Sequence, residues 1–277
     1  MKLGLFMMPL HPPGSDYTQG LDNDLEQILM VDELGYDEAW LGEHFTSSWE
    51  NVPAPDLLIA SAASQTKNLI LGTGVNNMPN HNPFTLASRI AQLDHMCHGR
   101  FYWGVGSGGF PGDLDVFGFD PKTGEQRGMT RDAIEAVLQL WKDPRPGLYE
   151  HKYWRFSVPE ADSEIGQRFH LAPYQKPHPP IGVAGVTLKS GTLVTAGQRG
   201  WIPMSINIVP TRVLHYALGG RGRGSGKSGQ GRRALAVAHR PPCVCRRHYQ
   251  RGKGIGTCGN NGQRLPRLFS APLTQSQ

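Results

Sequence analysis

Aspartate and glutamate are absent from everything after Glu164. Cysteine is scarce, with 4 in 277 residues, and no apolar run approaches the roughly 18 residues that a membrane-spanning helix needs. The missing runs argue against a membrane-embedded chain. Cys97 stands alone, while Cys243, Cys245 and Cys258 fit no paired zinc spacing, which argues against a disulfide scaffold or a zinc module. A reduced, cytoplasmic setting without a metal is the expectation. The acid deficit also splits the charge. Residues 1–215 hold 16 Lys+Arg against 23 Asp+Glu, a net of −7, and residues 216–277 hold 12 Lys+Arg against none, a net of +12. The overall +5 describes neither part. The basic part has only Tyr216, Tyr249 and Phe269 as aromatics, too few for base stacking, so no nucleic-acid partner is expected.

What is present reads as strands alternating with helices. Leu3–Leu10 is a continuous apolar run that lacks a small-x-small cleavage site and leads into His11-Pro12-Pro13-Gly14, so it suits a buried first strand better than a signal peptide. Leu25, Ile28 and Leu29 recur at helical spacing, and Gly35 stops that helix. Further strands are expected at Glu38–Phe45, Asn68–Val75, Arg100–Gly106, Pro180–Ala184 and Ile202–Ile208. Helices are expected around Asp56–Thr66, along Leu86, Ile90 and Leu93, along Ile134, Val137, Leu138 and Trp141, and from about Ser190 to Gly197. Tyr149–Val158 is aromatic and alternating, as in an inserted hairpin. Six strand–helix steps without an antiparallel meander point to an α/β fold of the TIM (β/α)8 type, truncated after about six of its eight units. Past Leu214 the periodicity stops, and only Ala234–Ala238 could still make a strand or helix.

In such a barrel the reactive groups sit at the C-terminal ends of the strands. His44, beside Glu43 at the end of the second strand, can exchange a proton near neutral pH. His81 could serve similarly, although Asn82 as N-cap and Pro83 as first helical residue explain His-Asn-Pro equally well. Gly104 to Gly109 formally matches GxGxxG, but no helix follows directly, so a dinucleotide loop is a poor reading. Glycines there would let a flat ring lie against the backbone. Ser190, Gly191 and Thr192 open a helix with donors suited to a phosphate, or simply cap it. Gly224-Ser225-Gly226-Lys227-Ser228 resembles a phosphate-loop ending but lacks the preceding glycine and strand, and is set aside.

Three segments taken together, LGEHFTSSWENVPAPDLLIASAASQTKNLILGTGV (41–75), NHNPFTLASRIAQLDHMCHGRFYWGVGSGG (80–109) and VAGVTLKSGTLVTAGQRGWIPMSIN (183–207), resemble the bacterial-luciferase-like flavin-dependent monooxygenases. They are most similar to the branch of limonene 1,2-monooxygenase and the diketocamphane monooxygenases. The resemblance covers about residues 1–215. It implies a TIM barrel, reduced FMN, O2, and a separate flavin reductase as partner. It places His44 beside the reactive flavin face, Asn76, His81, Asn82, Gly106 and Ser107 along the ring, and Ser190, Gly191 and Thr192 at the flavin phosphate. It further implies capture of O2 as a flavin C4a-peroxide in a dry mouth, with a small apolar organic substrate such as a terpene or cyclic ketone. A homodimer is compatible with it. Met8, Phe45, Trp49, Met78 and Phe110 could wall the mouth, and plain core packing explains each singly.

Two domains are expected, residues 1–215 as the incomplete flavin barrel and 216–277 as a Gly/Arg-rich tail. The tail reads like a GC-rich gene translated in a shifted frame. The alternatives are a deazaflavin-dependent oxidoreductase of the same superfamily, an inactive truncated product, and, more distantly, nucleic-acid binding through the tail.

Overall fold

A computed structural model describes residues 2–120, 122–169, 171–185, 191–205 and 235–236. The chain divides into two compact units, Met1–His239 and Arg240–Gln277, and all described residues lie in the first. Ser190, the end of the sixth expected strand and the tail cysteines fall outside the described residues.

Strands and helices alternate: β1 (Gly4–Met7), α1 (Tyr17–Glu33), β2 (Glu38–Leu41), α2 (Pro55–Ala63), β3 (Ile70–Thr73), β4 (Asn76–Asn77), a 3-10 turn (Met78–Asn80), α3 (Pro83–Met96) and β5 (Phe101–Gly106). Then come α4 (Pro111–Val116), α5 (Glu125–Lys142), the hairpin β6 (Gly147–Glu150) and β7 (Arg155–Val158), β8 (Ile181–Ala184), α6 (Gly191–Arg199), β9 (Ile202–Ser205) and β10 (Leu235–Ala236). One sheet runs β1-β2-β3-β5-β8-β9-β10 with every pair parallel, and β4 also pairs with β5. The six expected strands are all present, the first five shorter than their apolar runs, and β10 lies within Ala234–Ala238. The hairpin is antiparallel, as its alternation suggested. Where no helix was expected directly after Gly104–Gly109, α4 begins at Pro111, a helix of six residues without a full apolar stripe to announce it. Among the described residues, no helix is long and apolar enough to cross a membrane.

Local chemistry explains the boundaries. Asp16 caps α1 by accepting from Gln19 N at 3.0 Å. At the other end Gly35, at φ +75°, donates to Asp32 O while Tyr36 N donates to Val31 O, a full Schellman closure that only a residue free of Cβ adopts without strain. Parity then sorts the core. Ala39, Leu41, Phe101, Trp103 and Val105 face helical residues such as Ile28, Ile59, Ile90 and Val137, in one continuous apolar layer. Trp40 and Tyr102 point to the opposite face, the barrel interior, where they pack with Met204. Trp40 lies over glycines from three strands. A Cβ on Gly72 would come within 2.6 Å of its ring and one on Gly182 within 3.0 Å.

The register slips between β3 and β5. Gly72 pairs with Tyr102, but Asn76 pairs with Val105, so residues 73–75 oppose residues 103–104. This bulge is bridged by Thr73, whose hydroxyl donates to Gly104 O and accepts from Gly104 N, both at 2.9 Å. The extra residue turns Asn76 and Asn77 toward the end of β2.

Candidate active site

All the strands of the large sheet point the same way, so their C-terminal ends form one rim. Beyond β2 the chain presents Glu43 and His44 in opposite directions. Glu43 is buried, 2% exposed, and its carboxylate faces the end of β4. It accepts from Asn76 Nδ2 at 3.0 Å, from Asn77 N at 3.2 Å and from His81 Nε2 at 2.9 Å, while Asn77 Nδ2 donates to Glu43 O at 3.1 Å. A carboxylate only accepts, so His81 carries a proton on Nε2, and in the neutral ring Nδ1 is then left as an acceptor. Asn76 is wholly buried, and its Oδ1 has no partner among the described residues.

His44 turns instead toward α4. Its Nδ1 lies 2.7 Å from Asp113 Oδ2, and its Nε2 lies 3.5 Å from Glu50 Oε2. Asp113 Oδ1 accepts from Phe45 N at 3.0 Å, Thr46 N at 2.8 Å and Thr46 Oγ1 at 2.7 Å. Burial would raise the Asp113 carboxyl, but the bonds from His44 and Thr46 outweigh it and hold the group below its ordinary value. With Nδ1–H fixed on Asp113, Nε2 of His44 is the nitrogen free to exchange a proton. Gly112 permits this approach, since a Cβ there would sit 2.4 Å from Thr46 Oγ1. The Phe110 ring meets the His44 ring edge-on at 5.2 Å.

The loop carrying Glu50 is braced by the segment that follows β1. His11 N donates to Trp49 O at 2.7 Å, His11 Nδ1 lies 2.5 Å from Asn51 Oδ1, and its Nε2 lies 2.9 Å from Asp24 Oδ2. Burial pushes the Asp24 carboxyl up, and His11 only partly offsets it.

Of the residues singled out in the sequence, His44, Asn76 and His81 gather at this rim. Asn82 uses its Oδ1 to cap α3, accepting from Phe84 N at 2.9 Å and Thr85 N at 3.4 Å, which is the structural reading allowed above. Gly106 pairs with Asn77, and Ser107 follows half-buried. Two glycines of the fingerprint also let neighbouring segments approach closely. A Cβ on Gly104 would meet Thr73 O at 1.8 Å and one on Gly106 would meet Val75 Cγ2 at 2.5 Å, whereas Gly109 faces open space. Gly191 and Thr192 begin α6, exposed, on the rim of β8. Met78 is wholly buried in the helix-facing core, so it is packing and not mouth. Asp113, Glu50 and His11 escaped sequence reading. Asp113 sits 69 residues from His44, and nothing local marks it.

The family model for luciferase-like monooxygenases matches residues 1–221. The chain belongs to this family. It is 36% identical over 210 residues to 4-hydroxyprotoasukamycin monooxygenase of Streptomyces nodosus subsp. asukaensis, covering 76% of this chain and 54% of that one. It is 40% identical over 140 residues to limonene 1,2-monooxygenase of Rhodococcus erythropolis, covering 50% and 36%. Among solved structures, the oxygenating constituent of 3,6-diketocamphane monooxygenase from Pseudomonas putida, a type II Baeyer-Villiger enzyme in complex with FMN, superposes with a TM-score of 0.77. That match has 29% identity and covers 84% of this chain and 64% of the other. The chain spans about half the length of the curated relatives it matches. The TIM-barrel expectation and the family resemblance are thus both met.

The rim has features that suit a flavin of the luciferase-like kind. A ring N–H would satisfy the buried, unpartnered Asn76 Oδ1, and the open side of Gly109 admits a flat group.

Proposed function

We propose that this protein is the oxygenase of a two-component flavin monooxygenase, using reduced FMN and O2 to oxygenate a small apolar organic substrate such as a terpene or cyclic ketone. The observation that carries the reading is the His44–Asp113 pair at the strand-end rim, next to the Glu43 cluster with its unpartnered Asn76 acceptor. Bound reduced FMN would supply the electrons that activate O2. The chain's own residues would govern the proton. Asp113 fixes the His44 tautomer, His44 Nε2 holds or delivers a proton, and Glu50, 3.5 Å away, stabilises it there. Phe110 against the His44 ring limits water at that nitrogen. Asn76, His81, Gly106 and Ser107 would line the ring, Asn82 would support that wall from the α3 cap, and Ser190, Gly191 and Thr192 would take the phosphate at the start of α6.

A flavin reductase is the expected partner. The diketocamphane relative, named an oxygenating constituent, supports that division of labour. A cytoplasmic setting belongs to the same proposal, as does a separate tail within the expected 216–277, of which Leu235–Ala236 nevertheless joins the barrel sheet as β10.

The test is oxygen uptake by the purified chain with FMN, a flavin reductase and either a monoterpene alkene or a bicyclic diketone. Incorporation of one atom of labelled O2 into product is the expected result. Changing His44→Ala should lower turnover roughly 10²- to 10⁴-fold while FMN still binds. Hydride transfer from a reduced deazaflavin, with no oxygen uptake from FMN, would overturn the reading.

A further inference from the structure

Glu43 has a larger role than its place beside His44 suggests. Its side chain is fully buried, with relative exposure of 0%, and its hydrogen bonds run to the β4 side of the rim while those of His44 run to α4. Every bond it makes goes to the segment that follows the β3–β4 bulge. One oxygen takes Asn76 Nδ2, the other takes Asn77 N, and His81 Nε2 lies 3.0 and 2.9 Å from the two. A buried carboxylate is costly to place, and a neutral Gln would fill the same volume with less penalty. What Gln cannot do is accept on both arms.

We propose that Glu43 is a positioning residue that turns the β4 end into an acceptor surface for the flavin ring. By accepting from Asn76 Nδ2 it commits the Asn76 amide to present Oδ1, the buried oxygen that has no partner among the described residues. By accepting from His81 Nε2 it commits His81 to present Nδ1 as an acceptor. One buried charge therefore sets the polarity of two groups that do not touch each other through any bond of their own. The ligand edge they suit is one of N–H donors, which an isoalloxazine carries. With Gln at position 43, Asn77 N would hold the oxygen on one arm and the other arm would donate, so Asn76 would flip and the His81 proton, on the nitrogen 2.9 Å from that arm, would move to Nδ1. A donor would then face a donor across the ligand edge. This inference rests on the flavin reading above and deepens it at the same site.

The test is a double-mutant cycle on FMN affinity, read by flavin fluorescence in air and, anaerobically, with the reduced cofactor. Glu43→Gln and Asn76→Ala should each weaken FMN binding roughly tenfold. The double variant should lose clearly less than the roughly hundredfold product of the single losses, because part of the effect of Glu43 passes through Asn76. Ring nitrogen NMR should show the His81 proton moving from Nε2 to Nδ1 in Glu43→Gln, a change that mere loosening of the fold does not produce. Losses that multiply to about a hundredfold, an unaltered His81 tautomer, or wild-type affinity in Glu43→Gln would each overturn the proposal. If Glu43→Gln fails to fold, Glu43→Asp keeps the carboxylate but shortens its reach, and the same non-additivity with Asn76→Ala is required. A wild-type chain that binds no FMN in either redox state would defeat the flavin reading itself, and this proposal with it. A chain that binds FMN but gives multiplying losses defeats only the role of Glu43.

Discussion

Single atoms decide two positions at this rim. Gly104 lies where a Cβ would be 1.8 Å from Thr73 O, a backbone atom that cannot swing aside. Gly104→Ala should therefore cost at least the ~1–3 kcal/mol of ordinary overpacking, read from urea unfolding, and Gly109→Ala, which meets nothing, should be close to neutral. Asp113 gives a second residue-scale prediction. Its carboxyl is held below its ordinary value, so its contribution to stability is fully present above the unfolded value near pH 4 and fades as pH falls through the lower folded value. Asp113→Asn should lower stability at neutral pH and flatten its loss below about pH 4, measured as urea midpoints across a pH series. His44 was legible because an ionisable side chain at a strand end has few structural reasons to be there. Asp113 was not, because its meaning comes from a contact 69 residues away.

Among elements, the inner face of β2 carries the clearest dependence. Trp40 is 1% exposed and occupies space that Gly72, Gly104 and Gly182 leave on three neighbouring strands. Trp40→Ala should cost about 3–5 kcal/mol by calorimetry or denaturant unfolding, since the three glycines it lies over offer no side chain to fill the void. The apolar runs announced β2, β3, β5 and β8 as buried strands. They did not explain why β3 and β5 contain so many glycines, and ring-stacking against a cofactor was the local guess. Packing across strands accounts for Gly72 and Gly104, and it gives Gly106 a structural role beside that of lining a ring. The α4 segment shows the opposite limit. Six residues in a glycine-rich stretch have too little periodicity to read, yet they carry the Asp113 clasp onto the loop after β2.

For the molecule as a whole, the charge split remains the most telling number of the sequence. A net of −7 in residues 1–215 belongs to the part that matches the luciferase-like family, and the +12 of residues 216–277 lies almost wholly beyond it. Cofactor binding offers a whole-molecule test. If the folded chain holds FMN and the unfolded chain does not, FMN at a hundredfold excess over its Kd should stabilise it by about 2.7 kcal/mol, seen as a rise in Tm of several degrees that grows with FMN concentration. The free thiol of Cys97 should not interfere, because burial pushes it up to about 12 and leaves it protonated at working pH.

The amino-acid order alone determined the parallel α/β architecture, the strand positions and the rim on which His44, Asn76 and His81 meet. Hydrophobic periodicity and glycine stops are local properties, and parallel strands place their ends on one side whatever the loops do. Only the tertiary structure decided which carboxylate serves which histidine. Glu43 turned from its neighbour to His81 and Asn76, and Asp113 came from a distant helix to His44. Hydrogen bonds between residues far apart in sequence depend on the bulge at Thr73 and on the close approach that Gly112 allows, and no spacing along the chain encodes either.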